Sequence, residues 1–128
     1  MAMILLVEDD PNQCLLYEEA LKGEGYNVVT AKDGREALER VEKSRPDLVV
    51  MDISMPGMDG IEAMSRMLAR DHKLPIILNS AYATYKDNFR SWSADAYVVK
   101  SSDLSELKGM IRRVLETHRG SDPAKATA

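Results

Sequence analysis

Short apolar runs alternate with longer amphipathic segments along this chain. The apolar runs are Met3 to Val7, Asn27 to Thr30, Asp47 to Met51, Leu74 to Leu78 and Asp95 to Val99. Each run has four or five residues without strict alternation of apolar and polar positions, which is typical of parallel strands covered on both faces. The pattern therefore predicts five buried strands with helices between them.

The predicted helices have recognisable starts and stops. Three starts pair an acid with an acid or amide three residues later, as in a capping box: Asp10 and Gln13, Asp33 and Glu36, Asp59 and Glu62. Gly23 and Gly25 are expected to end the first helix, because glycine accepts the left-handed conformation that closes a helix, and Pro46 limits the second. The last helix is predicted from Asp103 to about His118.

Five strands alternating with five helices predict an α/β fold with a doubly wound parallel sheet. Among the common strand orders, 2-1-3-4-5 fits best. Such sheets bind ligands beyond the carboxyl ends of the strands, where the order reverses between the first and third strands. Any chemistry of this chain is therefore expected at that edge.

Composition bounds the size and class of the protein. The chain has 128 residues, which suits one domain, assigned to residues 1–119, with a polar tail at 120–128 that we expect to be disordered. A net charge of −4 and the lack of a visible DNA-binding module argue against a nucleic-acid partner. No apolar run approaches the length of a membrane span, and Cys14 is the single cysteine. With no signal-peptide pattern at its start, we expect a cytoplasmic protein.

Charged side chains stand directly after three of the predicted strands. Glu8 and Asp9 follow the first strand, Asp52 follows the third, and Lys100 follows the fifth. Like charges in one crevice are tolerated only if a proton or a cation neutralises them. Three carboxylates and an ammonium group gathered there describe a divalent cation site with a reactive acid.

The ordered combination of Glu8-Asp9, Asp52 with the following Met55-Pro56-Gly57, and Lys100 resembles the receiver domain of two-component response regulators. These domains take a phosphoryl group from a histidine kinase onto an aspartate. The resemblance runs from about Met3 to about His118 and implies a flavodoxin-like receiver fold. It implies that the chain is a signalling phosphoacceptor, not an enzyme.

The same resemblance implies roles for the site residues. Asp52 would accept the phosphoryl group, and Lys100 would pair with Asp52 and then with the phosphoryl oxygens. Mg²⁺ would be bound by Asp9, Asp52 and the carbonyl of Ser54, with Glu8 acting through water. Ser80 and Tyr97 would form the switch pair, in which the aromatic ring swings inward when the hydroxyl moves.

Partners follow from the resemblance as well. The phosphoryl donor would be a histidine kinase or a phosphotransfer protein. The fourth helix, fifth strand and fifth helix would form a face for an output protein of unknown identity or for a homodimer, without nucleic acid or membrane. Five of the seven aromatic residues, Tyr82, Tyr85, Phe89, Trp92 and Tyr97, fall in this region, where they either pack in the core or anchor a partner.

Two features depart from the family. Lys100 is followed by Ser101, where the family usually has proline after a cis peptide bond, and a non-proline cis bond costs about 3 kcal/mol. We therefore expect a trans bond and a displaced loop. Ser80 and Lys100 are 20 positions apart, about two fewer than is usual, so the fourth helix is expected to be short or irregular.

Other interpretations remain open. Asp52 could be a turn cap, Lys100 a solvated lysine and Ser80 a turn former, while Asp10 is expected only to cap the first helix. The main functional alternative is a degenerate receiver that acts as a constitutive protein-interaction module. A phosphohydrolase would need a second acid near Asp52, and a flavin carrier would not place acids after the first strand.

Overall fold

A five-stranded parallel sheet organises the computed structural model, which describes residues 2–52, 60–81, 94–101 and 103–121. The strands are β1 (Met3–Val7), β2 (Asn27–Ala31), β3 (Leu48–Met51), β4 (Ile76–Ser80) and β5 (Ala96–Val99). The helices within these ranges are α1 (Pro11–Gly23), α2 (Gly34–Lys43), α3 (Gly60–Arg70) and α4 (Ser105–Ser121).

The strand order is β2-β1-β3-β4-β5, and every pairing is parallel, which confirms the predicted doubly wound topology. At the carboxyl edge, Val7 pairs with both Ala31 and Met51. Further along the same edge, Ser80 at the end of β4 pairs with Val99 at the end of β5. The ends of β1, β3, β4 and β5 therefore open on one edge.

The core lies on both faces of the sheet. Leu5, Val7 and Met51 pack into a cluster with residues of α2 and α3, and Ile4 and Leu6 pack into a second cluster with residues of α1 and α4. These five side chains are at most 1% exposed. Because side chains alternate along a strand, burial of both faces requires the continuous apolar runs seen in the sequence.

Local capping fixes the ends of α1. The Asp10 carboxylate accepts hydrogen bonds from the backbone N–H groups of Asn12 (2.9 Å) and Gln13 (3.3 Å). At the other end, Gly25 has φ = 95°, its N–H donates to the Lys22 carbonyl, and the Tyr26 N–H donates to the Leu21 carbonyl. This pair of bonds is a Schellman motif, and its left-handed position explains the glycine.

The strand β4 differs from its prediction, since it begins at Ile76 and not at Leu74 and continues to Ser80. Leu74 belongs to a turn, in which its N–H donates to the Asp71 carbonyl at 3.1 Å. Pro75 has no N–H, and the Ile76 N–H donates to the Asp95 carboxylate at 2.8 Å. At the other end, pairing with β5 extends the strand to Ser80.

Several expectations concern the chain ends and loops. The predicted fourth helix and the Asp59 cap lie outside the described residues. Helix α4 continues to Ser121, so the first two residues of the expected tail are helical, and residues 122–128 lie outside the described part.

All peptide bonds in the described residues are trans, including Lys100–Ser101, as expected. None of the helices in these ranges has the length and apolar character required to cross a membrane.

An ion pair joins the turn before β3 to the end of α3. Arg45 pairs with Asp71, and both side chains are partly exposed. Burial alone would raise the pKa of Asp71, but the hydrogen bonds from Arg45 and from the Lys73 backbone lower it. A carboxyl group with a lowered pKa in the folded state stabilises the fold above its unfolded pKa, and this contribution disappears as the pH falls through the folded pKa.

Asp71→Asn is therefore expected to lower the free energy of unfolding at pH 7 by about 0.5–1 kcal/mol, the upper range for a partly exposed pair. Urea unfolding at pH 7 and pH 3 measures this, and the difference from the unmodified chain is expected to shrink at pH 3. Glu62→Gln, which removes the exposed pair with Arg66 within α3, is the matched control with a smaller effect. An equal loss for Asp71→Asn at both pH values would contradict the assignment.

Candidate functional site

The carboxyl edge of the sheet gathers side chains from three strands. The Glu8 N–H donates to the Ala31 carbonyl at 3.0 Å, and the Asp52 N–H donates to the Val7 carbonyl at 3.1 Å. These bonds extend the strand pairing by one residue beyond β1 and β3. The backbone of Glu8 and Asp52 is therefore fixed by the sheet, which leaves only the side chains free to adjust.

Lys100 reaches the same edge from the far side of the sheet. Its backbone N–H donates to the Ser80 carbonyl at 2.7 Å, which holds the residue at the end of β5. Its ammonium group donates to Glu8 Oε2 at 2.9 Å and to Asp52 Oδ2 at 2.8 Å. One cation thus bridges the acids that follow β1 and β3.

The charged side chains of this bridge are largely removed from water. Glu8 is 4% exposed, Asp52 is 8% exposed, and the side chain of Lys100 keeps 11% of its surface. Burial raises the pKa of Glu8, although the hydrogen bond from Lys100 opposes that effect. For Lys100, burial alone would lower the pKa, but its bonds to Asp52 and Glu8 raise it overall. The lysine therefore stays charged and acts as the counter-ion of the buried acids.

Asp9 completes an acidic cluster. Glu8, Asp9 and Asp52 each have a carboxylate oxygen within 4.8 Å of those of the other two residues. Asp9 is exposed to solvent. Oxygen donors of this kind suit hard divalent cations such as Mg²⁺, which needs few protein ligands because it keeps several waters. The donor set of this cluster therefore fits the divalent cation site predicted from the sequence and the Mg²⁺ ion that the resemblance implies.

The remaining predicted site residues have mixed outcomes. Ser80 is fully buried at the end of β4, next to Lys100 through its carbonyl. Tyr97 is 3% exposed and packs in the core cluster on the side of α2 and α3. Five other predicted residues lie outside the described part of the chain: Ser54, Tyr82, Tyr85, Phe89 and Trp92. The structure thus brings Glu8, Asp9, Asp52 and Lys100 together, with Ser80 adjacent in the sheet.

Gln13 contacts the site lysine, Lys100, and the sequence did not indicate this contact. The capping box predicted for Asp10 and Gln13 forms only in part: the Asp10 carboxylate caps α1, but the Gln13 side chain does not bond back to the Asp10 N–H. The Asp10 N–H donates to Glu8 Oε1 at 3.4 Å, while Gln13 Oε1 accepts a hydrogen bond from Lys100 Nζ at 2.6 Å. Only the position of Gln13, in the first turn of a helix that begins beside the acids, could have signalled this contact.

Comparisons with known proteins agree with this geometry. A family model of the response regulator receiver domain matches residues 4–112. The transcriptional regulatory protein PrrA of Mycobacterium tuberculosis is 36% identical over 120 residues, which cover 92% of this chain and 51% of that protein. The chain therefore spans about half the length of PrrA. The sporulation initiation phosphotransferase F of Bacillus subtilis is 34% identical over 114 residues, which cover 88% of this chain and 92% of that protein.

Solved structures show the same fold. The response regulator TrrA of Thermotoga maritima, in complex with Mg²⁺-BeF, has 41% identity and a TM-score of 0.85, over 89% of this chain and 99% of that one. TrrA in complex with the histidine kinase ThkA has 42% identity and a TM-score of 0.83, over 90% and 99% of the two chains. With its parallel sheet, its acidic cluster and the matching family model, this chain belongs to the response regulator receiver domains of two-component systems.

Proposed function

We propose that this chain accepts a phosphoryl group on Asp52 from the phosphohistidine of a histidine kinase or phosphotransfer protein. The observation that carries the proposal is the bond between Asp52 Oδ2 and the Lys100 ammonium at 2.8 Å, beside two further carboxylates. A carboxylate that only capped a turn would not need a buried counter-ion from another strand. The complex of the similar protein TrrA with a histidine kinase supports a donor of this kind.

The chemistry requires a nucleophile and a stabilised transition state. A carboxylate oxygen of Asp52 attacks the phosphorus atom, and the P–N bond to the imidazole breaks with its electron pair returning to nitrogen. The product is an acyl phosphate on Asp52. Negative charge spreads over the three phosphoryl oxygens during transfer, so a fixed cation next to the nucleophile lowers the barrier. Lys100 is placed to do so, because its ammonium group already contacts Asp52.

The acidic cluster also explains a need for Mg²⁺. Glu8, Asp9 and Asp52 carry more negative charge than Lys100 balances, and an incoming phosphoryl group adds to it. Asp9 and Asp52 would bind the ion, with Glu8 acting through water, and the Ser54 carbonyl stays a predicted ligand. When bound, Mg²⁺ supplies positive charge that neutralises the acids and the phosphoryl oxygens. The Mg²⁺-BeF complex of TrrA supports this cofactor.

The signal would leave the site through Ser80 and Tyr97. Ser80 ends β4, and its carbonyl accepts the Lys100 N–H, so a turn of its hydroxyl toward the phosphoryl group would link the site to β4. Tyr97 follows on β5 and would adjust its packing when Ser80 moves. A phosphoryl group carries about 1.5–2 negative charges, enough to bias a loop whose two states contact it differently. The face that binds an output protein or a second copy of the chain would include β5 and α4, which is the fifth helix of the sequence prediction.

A constitutive interaction module is the rival function. It would need neither the acidic cluster nor the buried lysine, and both are intact in this chain. Burying these charges costs free energy that a purely structural domain could avoid with apolar residues. The site therefore favours the phosphoacceptor, and phosphoryl labelling of the chain separates the two functions.

Asp52→Asn is expected to abolish the mass gain that the chain shows with acetyl phosphate and Mg²⁺, because the amide oxygen is a poor nucleophile. Intact mass spectrometry measures the gain. Asp33→Asn is the matched control, since asparagine keeps the cap of α2 and Asp33 does not belong to the acidic cluster. Labelling of Asp52→Asn equal to that of the control would rule out Asp52 as the acceptor, and no labelling of the unmodified chain would favour the constitutive module.

Mg²⁺ is expected to raise the melting temperature of the unmodified chain, because a ligand that binds only the folded state stabilises it by mass action. At a concentration of 100 times Kd the gain is about 2.7 kcal/mol. Asp9→Ala is expected to lose most of this shift by removing a ligand. Asp10→Asn, which keeps the cap of α1, is expected to retain it. Equal shifts for Asp9→Ala and Asp10→Asn in differential scanning calorimetry would argue against the assigned cation site.

A further inference from the structure

Gln13 supplies the third acceptor of the site lysine. An ammonium group has three N–H donors and no acceptor, so the Gln13 atom that faces Lys100 Nζ at 2.6 Å is the amide oxygen. With Glu8 and Asp52, Gln13 completes the set of three acceptors. We infer that Gln13 is a positioning residue that holds the Lys100 ammonium in place for phosphoryl transfer to Asp52. This inference rests on the proposed function.

A lysine needs such a restraint because its side chain is long and flexible. Holding one lysine side chain still costs up to about 2 kcal/mol of conformational entropy. The hydrogen bonds to the two carboxylates hold two of the three N–H groups, and the ammonium group could still pivot about the line between them. A hydrogen bond to an amide oxygen adds a direction without adding charge.

The acceptor itself stands on a rigid element. The Gln13 N–H is held by the Asp10 carboxylate at the start of α1, and Tyr17 and Leu21 anchor the same helix in the core. Lys100 is held from its other end by the Ser80 carbonyl. The contact therefore joins two parts of the fold 87 residues apart in sequence, each of which is fixed on its own.

The neutrality of Gln13 matters for the reaction. When the phosphoryl group reaches Asp52, the N–H that Lys100 gives to Asp52 becomes available for a phosphoryl oxygen. Glu8 and Gln13 keep the other two N–H groups and hold the ammonium in place. A third carboxylate at this position would hold Lys100 equally well, but its negative charge would repel the phosphoryl group. An amide restrains the lysine without that penalty.

Two variants separate the hydrogen bond from the charge. Gln13→Met keeps the length of the side chain and removes the acceptor, whereas Gln13→Glu keeps an acceptor oxygen and adds a charge. Asn12→Met is the matched control, because it makes the same amide-to-thioether change at an exposed position of the same helical turn. All are made in the full chain, and unfolding curves verify that each variant is folded.

The first readout is the rate of phosphoryl mass gain over a range of acetyl phosphate concentrations at saturating Mg²⁺. For Gln13→Met we expect a maximal rate constant about three- to tenfold lower, as for the loss of one hydrogen bond, with an unchanged half-saturating donor concentration. Gln13→Glu is also expected to be slower, because of its charge. Asn12→Met is expected to match the unmodified chain.

The second readout does not depend on activity. Protons of a restrained, hydrogen-bonded ammonium group exchange slowly enough with water to give a lysine side-chain NMR signal at low temperature. We expect the Lys100 signal, identified by its loss in Lys100→Met, in the unmodified chain, in Gln13→Glu and in Asn12→Met. We expect it to broaden beyond detection in Gln13→Met. If Gln13 had a merely structural role, its substitution would change the free energy of unfolding but not the Lys100 signal.

Each outcome has a defined meaning. An unchanged rate constant or an unchanged Lys100 signal in Gln13→Met overturns the role of Gln13 and leaves the phosphoacceptor function standing. A loss of stability in Gln13→Met without either specific effect also overturns it. If the unmodified chain gains no phosphoryl mass, the proposed function fails, and the role of Gln13 in transfer fails with it.

Discussion

In-register pairing of the parallel strands is the constraint on which the site depends. Val7 lies level with Met51 in the neighbouring strand, so the next residues, Glu8 and Asp52, leave the sheet side by side. Because successive side chains point to opposite faces, a slip of one residue would turn one acid away from the other. Burial of both faces of the sheet opposes such a slip, since a shift of one residue would move each apolar side chain to the opposite cluster, where it would not fit the packing. The packing of the core thereby sets the spacing of the charges.

Charge balance at the carboxyl edge is the second constraint. Acids brought this close repel each other, and burial makes their charged forms more costly. Lys100 offsets part of this cost by bonding to acids from two strands, yet the exposed Asp9 leaves the cluster with excess negative charge. A cluster in this state binds a small divalent cation more readily than an anion, so the order of events at the site depends on the cation. Under the proposed function, the same excess charge that disfavours a phosphoryl group in isolation would make transfer depend on Mg²⁺.

Helix α1 connects the core to this balance. Its inner face packs on the sheet through Tyr17 and Leu21, while its first turn contacts the site through Gln13. Because α1 begins directly after the acidic end of β1, its first turn lies beside the site. A side chain in this turn can therefore contact the Lys100 ammonium group, as Gln13 does.

The sequence by itself determined the strands and the acids at their ends, because apolar run length and capping residues act within a few positions of the chain. The alternation of strands with helices predicted their parallel order, because crossover connections follow general rules of handedness. It did not show that the Ile76 N–H, at the start of β4 just after Pro75, bonds to the Asp95 carboxylate 19 residues away. Nor did it determine the partner of Gln13, whose local pattern indicated a capping box. A side chain with two possible acceptors or donors bonds to whichever group the tertiary structure brings closer and in better alignment. For Gln13 that group is an ammonium from the far end of the sheet, and only the folded sheet places it there.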